Sequence, residues 1–105
     1  MSSTIKAQVL SKAIELWADP KKRIPGKLHD GKGGHCAMGV PFMADGMVRG
    51  LREPYWYAGS DRFHQVADLI GMEPPAVVRM NNSGGPEGRA YLYDLMKDAL
   101  AKELA

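Results

Sequence analysis

The chain has 105 residues, of which 45% are hydrophobic and 25% are charged, with a net charge of +2. This length predicts a single domain, and this composition is typical of a folded globule and excludes an intrinsically disordered chain. The single cysteine excludes an internal disulfide and favours a reducing compartment. No stretch approaches the roughly 20 apolar residues of a membrane span, and the N-terminus lacks a secretory signal, so we expect a cytoplasmic protein with no membrane partner.

The first helix is predicted over residues 4–18, where apolar side chains recur every three or four positions. Its apolar stripe consists of Ile5, Val9, Leu10, Ala13, Ile14 and Trp17. A serine or threonine at positions 2–4 can cap its start, and the Asp19-Pro20 pair ends it.

Residues 20–34 contain two prolines and four glycines and show no helical period, which predicts a long loop with a short hairpin around 24–28 as one option. The loop has a net charge of +4, because it contains one acid, Asp30, and five basic residues: Lys21, Lys22, Arg23, Lys27 and Lys32. A connection this long in a small domain is often functional. It is therefore the first candidate for a partner surface; the alternative is a solvated loop that its lysines keep soluble.

A second helix is predicted over residues 35–49, with Cys36, Val40, Met43 and Met47 along one face. Pro41 falls inside this run, where a proline kinks or divides a helix. After a connection at 51–59, Ser60 is expected to cap a helix that ends at Gly71. A short helix from 73 to 80 and a last helix from 86 to 103 follow, which together predict a compact all-α bundle of about five helices.

Cys36 admits three interpretations. As a nucleophile it needs a base, and the candidates are His35, His64 and His29, although neighbouring residues on a helix diverge by about 100° and leave His35 poorly oriented. As a metal ligand it lacks a second cysteine and a recognised spacing. The simplest interpretation is a small apolar residue buried in the core, so we expect no catalytic group, no metal and no cofactor.

Residues 66–80, VADLIGMEPPAVVRM, resemble the core of a DNA-binding helix-turn-helix. Ala67 occupies the small-residue position, Gly71 the turn, and Met72, Val77 and Met80 the inward positions. The early exposed positions of the second helix, 73–75, have no side chains that read base edges. DNA contacts would therefore come from late residues, Arg79, Asn81 and Asn82.

The segments HCAMGVPFMADGM (35–47) and VVRMNNSGGPEGRAYLYDLMKDAL (77–100) resemble a group of small uncharacterised bacterial and phage proteins. That group shares a Cys-Ala-Leu-Gly-Ala helix opening and an Asn-Asp turn before a Leu-rich last helix. The match covers about a third of the chain and departs from the group at Pro41 and at Asn82, where an aspartate is usual. The resemblance implies a compact helical domain whose cysteine helix packs on the last helix, and it implies no activity.

Tyr55, Trp56 and Tyr57 are three of the eight aromatic residues, and they stand consecutively in an irregular segment. At least one is expected to be exposed, where a rigid ring can anchor a protein partner or a base. Together with the basic loop, they predict a non-enzymatic interaction module that binds a macromolecule, most simply a protein; a small phage-type inhibitor or accessory protein would fit this description. The alternatives are a helix-turn-helix DNA-binding protein using residues 60–82 and a thiol enzyme at Cys36.

Overall fold

The computed structural model describes residues 4–27, 30–50 and 67–105. These residues form four α-helices and a short 3-10 helix at Pro20–Lys22. The α-helices are α1 (Ile5–Trp17), α2 (Gly39–Val48), α3 (Pro74–Asn82) and α4 (Gly85–Leu104). The described residues contain no sheet, only an isolated bridge between Arg23 and His35. The protein is mostly helical and compact, as predicted; most of the helix predicted to start at Ser60 lies outside the described residues.

Helix α1 matches its prediction to within one residue at each end. The Thr4 hydroxyl accepts a hydrogen bond from the Ala7 amide, which satisfies one of the free N–H groups at the helix start. The apolar stripe buries Val9, Leu10, Ala13 and Trp17. At the far end the Asp19 carboxylate accepts from the Lys21 amide and begins the 3-10 helix, so the chain turns out of α1 at the predicted point.

Helix α2 begins four residues later than predicted, and the predicted kink at Pro41 does not form. Pro41 occupies the third position of the helix, within the first turn, where the amide nitrogens have no partner inside the helix and a proline is tolerated. The later start also changes the buried face. Val40, Phe42 and Ala44 are buried, whereas Met47, predicted to face inward, is 49% exposed.

The corner before α3 has the turn chemistry predicted for it. Gly71 adopts a left-handed backbone, with φ at 71°. The Gly71 amide donates to the Asp68 carbonyl and the Met72 amide to the Ala67 carbonyl, which is the Schellman pattern of a helix ending at glycine. Pro74 then opens α3 at its first position, where its fixed φ suits a helix. The helix continues to Asn82, two residues beyond its predicted end.

Helices α3 and α4 approach each other closely where glycines at the start of α4 face Met80 of α3. A Cβ atom added at Gly88 or Gly84 would collide with the Met80 carbonyl oxygen, so only glycine permits this spacing. The Arg89 side chain, 9% exposed, donates from Nη1 to the Asn81 carbonyl oxygen at 2.7 Å. These contacts fix the C-terminal end of α3 on α4.

Helix α1 is the central element, since both α2 and α4 pack against it. The resemblance implied that the cysteine helix packs on the last helix, and the main neighbour of α2 in the described residues is instead α1. The largest fully buried side chains of the core are Trp17, Phe42, Leu10, Met38, Leu92, Met96, Val40 and Val77. The core therefore joins all four helices and the segment that precedes α2.

Candidate functional site

Backbone pairing joins the two ends of the loop between α1 and α2, and side chains attach the loop to the helices. The His35 amide donates to the Lys22 carbonyl at 2.8 Å, and the Ile24 amide donates to the His35 carbonyl at 3.1 Å. A short hairpin around 24–28 was one option predicted from the sequence for this loop. The described pairing instead joins Arg23 to His35, so it brings the start of the loop alongside its end.

Arg23 fixes the start of the loop to the core. Its guanidinium donates to the carbonyl oxygens of Trp17 and Ala18, at 2.9 and 3.3 Å, and therefore covers the C-terminal end of α1, where cations are favoured. The same group lies 4.3 Å from the ring centroid of Tyr93 on α4. Arg23 was predicted to belong to an exposed partner surface. Its guanidinium donates to carbonyl oxygens of the protein itself, so the Arg23 side chain stabilises the fold.

Asn81, at the end of α3, holds both halves of the loop. The side chain is 2% exposed. Its Oδ1 accepts from the Ala37 amide at 3.0 Å, and its Nδ2 donates to the Ile24 carbonyl at 3.1 Å. One side-chain amide thus joins α3 to residues 13 positions apart on either side of the loop, and burial shields its bond with the Ala37 amide from water.

Asn82 continues this contact at the surface. Its Oδ1 accepts from the Gly26 amide at 2.8 Å and from the Asn81 Nδ2 at 2.9 Å. The Asn81-Asn82 pair was predicted to end a helix and, alternatively, to contact DNA. The bonds of this pair to the loop backbone were not predicted from the sequence. A signal was present, because an asparagine side chain supplies both a donor and an acceptor to free backbone groups.

A surface pocket of about 150 Å³ lies where α3 meets this loop. Cys36 and Met38 form its buried floor, Val78 and Asn82 contribute from α3, and Gly26 and Lys27 contribute from the loop. We call it the Cys36 pocket. Its lining is mostly apolar, and Lys27 is the charged residue among its lining groups.

The Cys36 thiol is 9% exposed and belongs to the core, as its apolar interpretation predicts. Its Sγ accepts a hydrogen bond from the Gly39 amide at 3.3 Å, so it takes the role that a serine has at the start of many helices. Burial raises the pKa of this thiol, and the amide of Gly39 opposes the shift only in part. Desolvation thus outweighs the helix N-terminus, and the reactive thiolate is disfavoured.

Of the three histidines proposed as bases for Cys36, His35 lies within the described residues. His35 is 3% exposed, and its carbonyl oxygen accepts from the Trp17 Nε1 at 2.8 Å, so it lies within the core. His29 and His64 lie outside the described residues. Within the described part of the chain, no group of three or more His, Cys, Asp or Glu side chains is placed to hold a metal ion.

The lysines of the basic loop have different environments. Lys21, Lys27 and Lys32 are exposed, whereas the Lys22 ammonium donates to the Lys32 carbonyl at 3.2 Å across the loop. The Asp30 carboxylate accepts from the amides of Lys32 and Gly34. These bonds lower the pKa of Asp30 and direct the loop's single acid to its own backbone. Tyr55, Trp56 and Tyr57, the aromatic part of the predicted surface, lie outside the described residues.

The residues proposed for DNA contact are divided by the fold. Arg79 is exposed, whereas Asn81 is buried and fully engaged with the loop, which removes it from any groove-facing surface. Asn82 is exposed but uses its Oδ1 to hold the loop. The second helix of the proposed helix-turn-helix, α3, therefore directs two of its three proposed DNA contacts toward the protein.

Comparison of the chain with family models, with curated proteins and with solved structures finds no match. None of the helices in the described residues has the length and apolar character needed to cross a membrane.

Proposed function

We propose that the protein is a non-enzymatic helical binding module whose basic loop, residues 20–34, docks on the acidic surface of a partner protein. The observation that carries this proposal is that the loop is positively charged and is also fixed to the helices by side-chain hydrogen bonds. Lys21, Lys27 and Lys32 are exposed, while the single acid of the loop is bonded to its backbone. The loop therefore presents three exposed ammonium groups against one carboxylate, and its surface is net positive.

The attachment of the loop supports binding because it reduces the entropic cost of association. A flexible loop loses conformational freedom when a partner fixes it, and this cost weakens the complex. Here Asn81, Asn82 and Arg23 hold the loop before any partner arrives. Cations held in this way are expected to speed the encounter with an acidic surface more than they strengthen the final complex.

The experiment compares two charge reversals after the partner has been identified. The partner is captured from the host with tagged protein, with nuclease treatment to remove nucleic acid, and its affinity is then measured by titration calorimetry. Lys21→Glu with Lys32→Glu alters the loop, and Lys97→Glu with Lys102→Glu alters the exposed side of α4 by the same net charge. Circular dichroism verifies that both variants fold.

We expect the loop variant to bind roughly 5- to 30-fold more weakly, since two surface charges are reversed at about 0.5–1 kcal/mol each. The control should stay within about twofold. Equal losses in the two variants, or an affinity that does not change with salt, would refute the proposal.

The DNA-binding alternative remains a prediction and is tested with the same material. A partner that disappears after nuclease treatment indicates nucleic acid, and Arg79→Ala should then weaken salt-dependent duplex binding. The thiol-enzyme alternative also remains a prediction. It requires a reactive Cys36, and rapid alkylation of the folded protein by iodoacetamide at neutral pH would favour it.

A further inference from the structure

The Cys36 pocket has the size of a single side chain. Its volume of about 150 Å³ equals that of an engineered protein cavity that accepts benzene, roughly 150 Å³. Pockets for cofactors and drug-sized ligands are larger, about 300–1,000 Å³. A leucine or phenylalanine side chain fits this volume, and a nucleotide does not.

The pocket combines an apolar floor with donors at its mouth. Cys36 and Met38 are buried beneath it, and the Val78 side chain at its edge is 45% exposed. Lys27 contributes an exposed ammonium group. The Oδ1 of Asn82 is occupied by two donors, and among the described residues no hydrogen bond uses its Nδ2, which leaves an amide donor. An apolar group flanked by carboxylates complements this arrangement.

We infer that the Cys36 pocket takes one leucine- or phenylalanine-sized side chain from an acidic segment of the partner protein, with carboxylates beside it contacting Lys27 and Asn82. This inference rests on the proposed function, since the loop that attracts the partner also forms one side of the pocket. A buried apolar anchor surrounded by polar contacts is the usual source of affinity in a protein interface. Lys21 and Lys32 add exposed positive charge to the same loop, which favours an acidic peptide segment over an isolated small molecule.

The test is a titration of ¹⁵N-labelled full-length protein with short peptides, followed by amide chemical shifts. The probe is acetyl-Glu-Glu-Leu-Glu-Glu-amide. One control replaces the leucine by alanine, a second replaces the four glutamates by glutamine, and a third is N-acetylleucine alone. We expect the probe to shift the amides of Gly26 and Asn82 and to bind about tenfold more tightly than either control peptide or N-acetylleucine.

Two variants locate the binding on the protein. Val78→Gln removes apolar surface at the mouth of the pocket, and Lys27→Gln removes its charge; each is expected to weaken the probe about three- to tenfold. Tyr91→Gln is the matched control, because Tyr91 is 51% exposed on α4 and does not line the pocket. All three positions are exposed, so the variants are expected to fold.

The inference is overturned if the alanine peptide or N-acetylleucine binds as well as the probe, if no shifts appear at Gly26 and Asn82, or if Tyr91→Gln has the same effect as Val78→Gln. Its failure is distinguishable from that of the proposed function. If the captured partner loses affinity on reversal of Lys21 and Lys32 but not on Val78→Gln, the pocket inference is wrong and the basic-loop proposal stands. If neither change affects the partner, both are wrong.

Discussion

Replacement of Asn81 by alanine tests the structural basis of the site, because this side chain joins α3 to both halves of the loop. The substitution removes the hydrogen-bond acceptor of the Ala37 amide, and Ala37 is only 1% exposed. A buried donor left without a partner costs about 1–3 kcal/mol. Loss of the partly buried bond to the Ile24 carbonyl adds about 0.5–1.5 kcal/mol. We therefore expect Asn81→Ala to lower the free energy of unfolding by roughly 2–4 kcal/mol.

Asn82→Ala is the matched control, one residue further along the same helix. Its bond to the Gly26 amide lies at the surface, where water can replace it, so we expect a loss below about 1 kcal/mol. Urea unfolding, followed by tryptophan fluorescence and by circular dichroism, measures both variants. The Asn81 variant should also melt about 8–32 °C lower, at roughly 4–8 °C per kcal/mol for a domain of this size.

Native-state hydrogen exchange adds a local measurement to this comparison. In Asn81→Ala the Ala37 amide should lose more protection than the amides of α1, because its acceptor is gone while the helix is intact. The reasoning is refuted if Asn81→Ala and Asn82→Ala unfold within about 0.5 kcal/mol of each other, or if exchange at Ala37 is unchanged. Either result means that the loop is held by contacts other than this amide.

Three further predictions concern stability and thiol chemistry. Arg23→Lys keeps the charge but loses the planar group that donates to two carbonyls and lies over Tyr93, so we expect a loss of about 1–2 kcal/mol in urea unfolding, and equal stability would argue against this role. Gly88→Ala should cost about 1–3 kcal/mol because its methyl group collides with the Met80 carbonyl; a neutral result in thermal unfolding would contradict the close approach of α3 and α4. Burial raises the pKa of Cys36, so its contribution to stability is complete below the unfolded thiol pKa of about 8.5 and is lost as the pH rises through the higher folded value. Unfolding measured between pH 7 and 10 should therefore show a downward slope that Cys36→Ala reduces, and identical slopes would place the thiol in solvent.

The sequence predicted the helices best where local chemistry determines the backbone. Thr4 and Gly71 are examples, since a hydroxyl before an apolar stripe and a glycine after one each have a defined role at a helix end. The start of α2 was misplaced because the pattern beginning at Cys36 matches a helical period by spacing alone. Pro41 contained the correcting information: a proline is tolerated in the first turn of a helix, which favours a helix start shortly before it, and α2 begins at Gly39.

The site was harder to predict because it depends on contacts between distant parts of the chain. Asn81 lies 57 residues from Ile24, and no local pattern indicates that its amide binds that carbonyl. The basic loop was located from its composition, but composition does not separate Arg23, which covers the end of α1, from exposed Lys21 and Lys27. The sequence gives a weak indication of the close approach at Gly88, because Gly84 and Gly88 are spaced about one helical turn apart.

The length of the connection between α1 and α2 is itself an argument for a binding role. Packing α2 against α1 needs only a short link, because helices in bundles are commonly joined by about 2–8 residues. The chain instead uses residues 18–38 for this link, and side-chain hydrogen bonds of Asn81, Asn82 and Arg23 fix described residues of it. Ordering each residue costs about 1–2 kcal/mol of backbone entropy. In the described part of the basic loop, residues 20–27 and 30–34, no hydrophobic side chain belongs to the buried core and offsets this cost. Stability alone does not require a loop of this length, which supports the proposed role of the loop in contact with a partner.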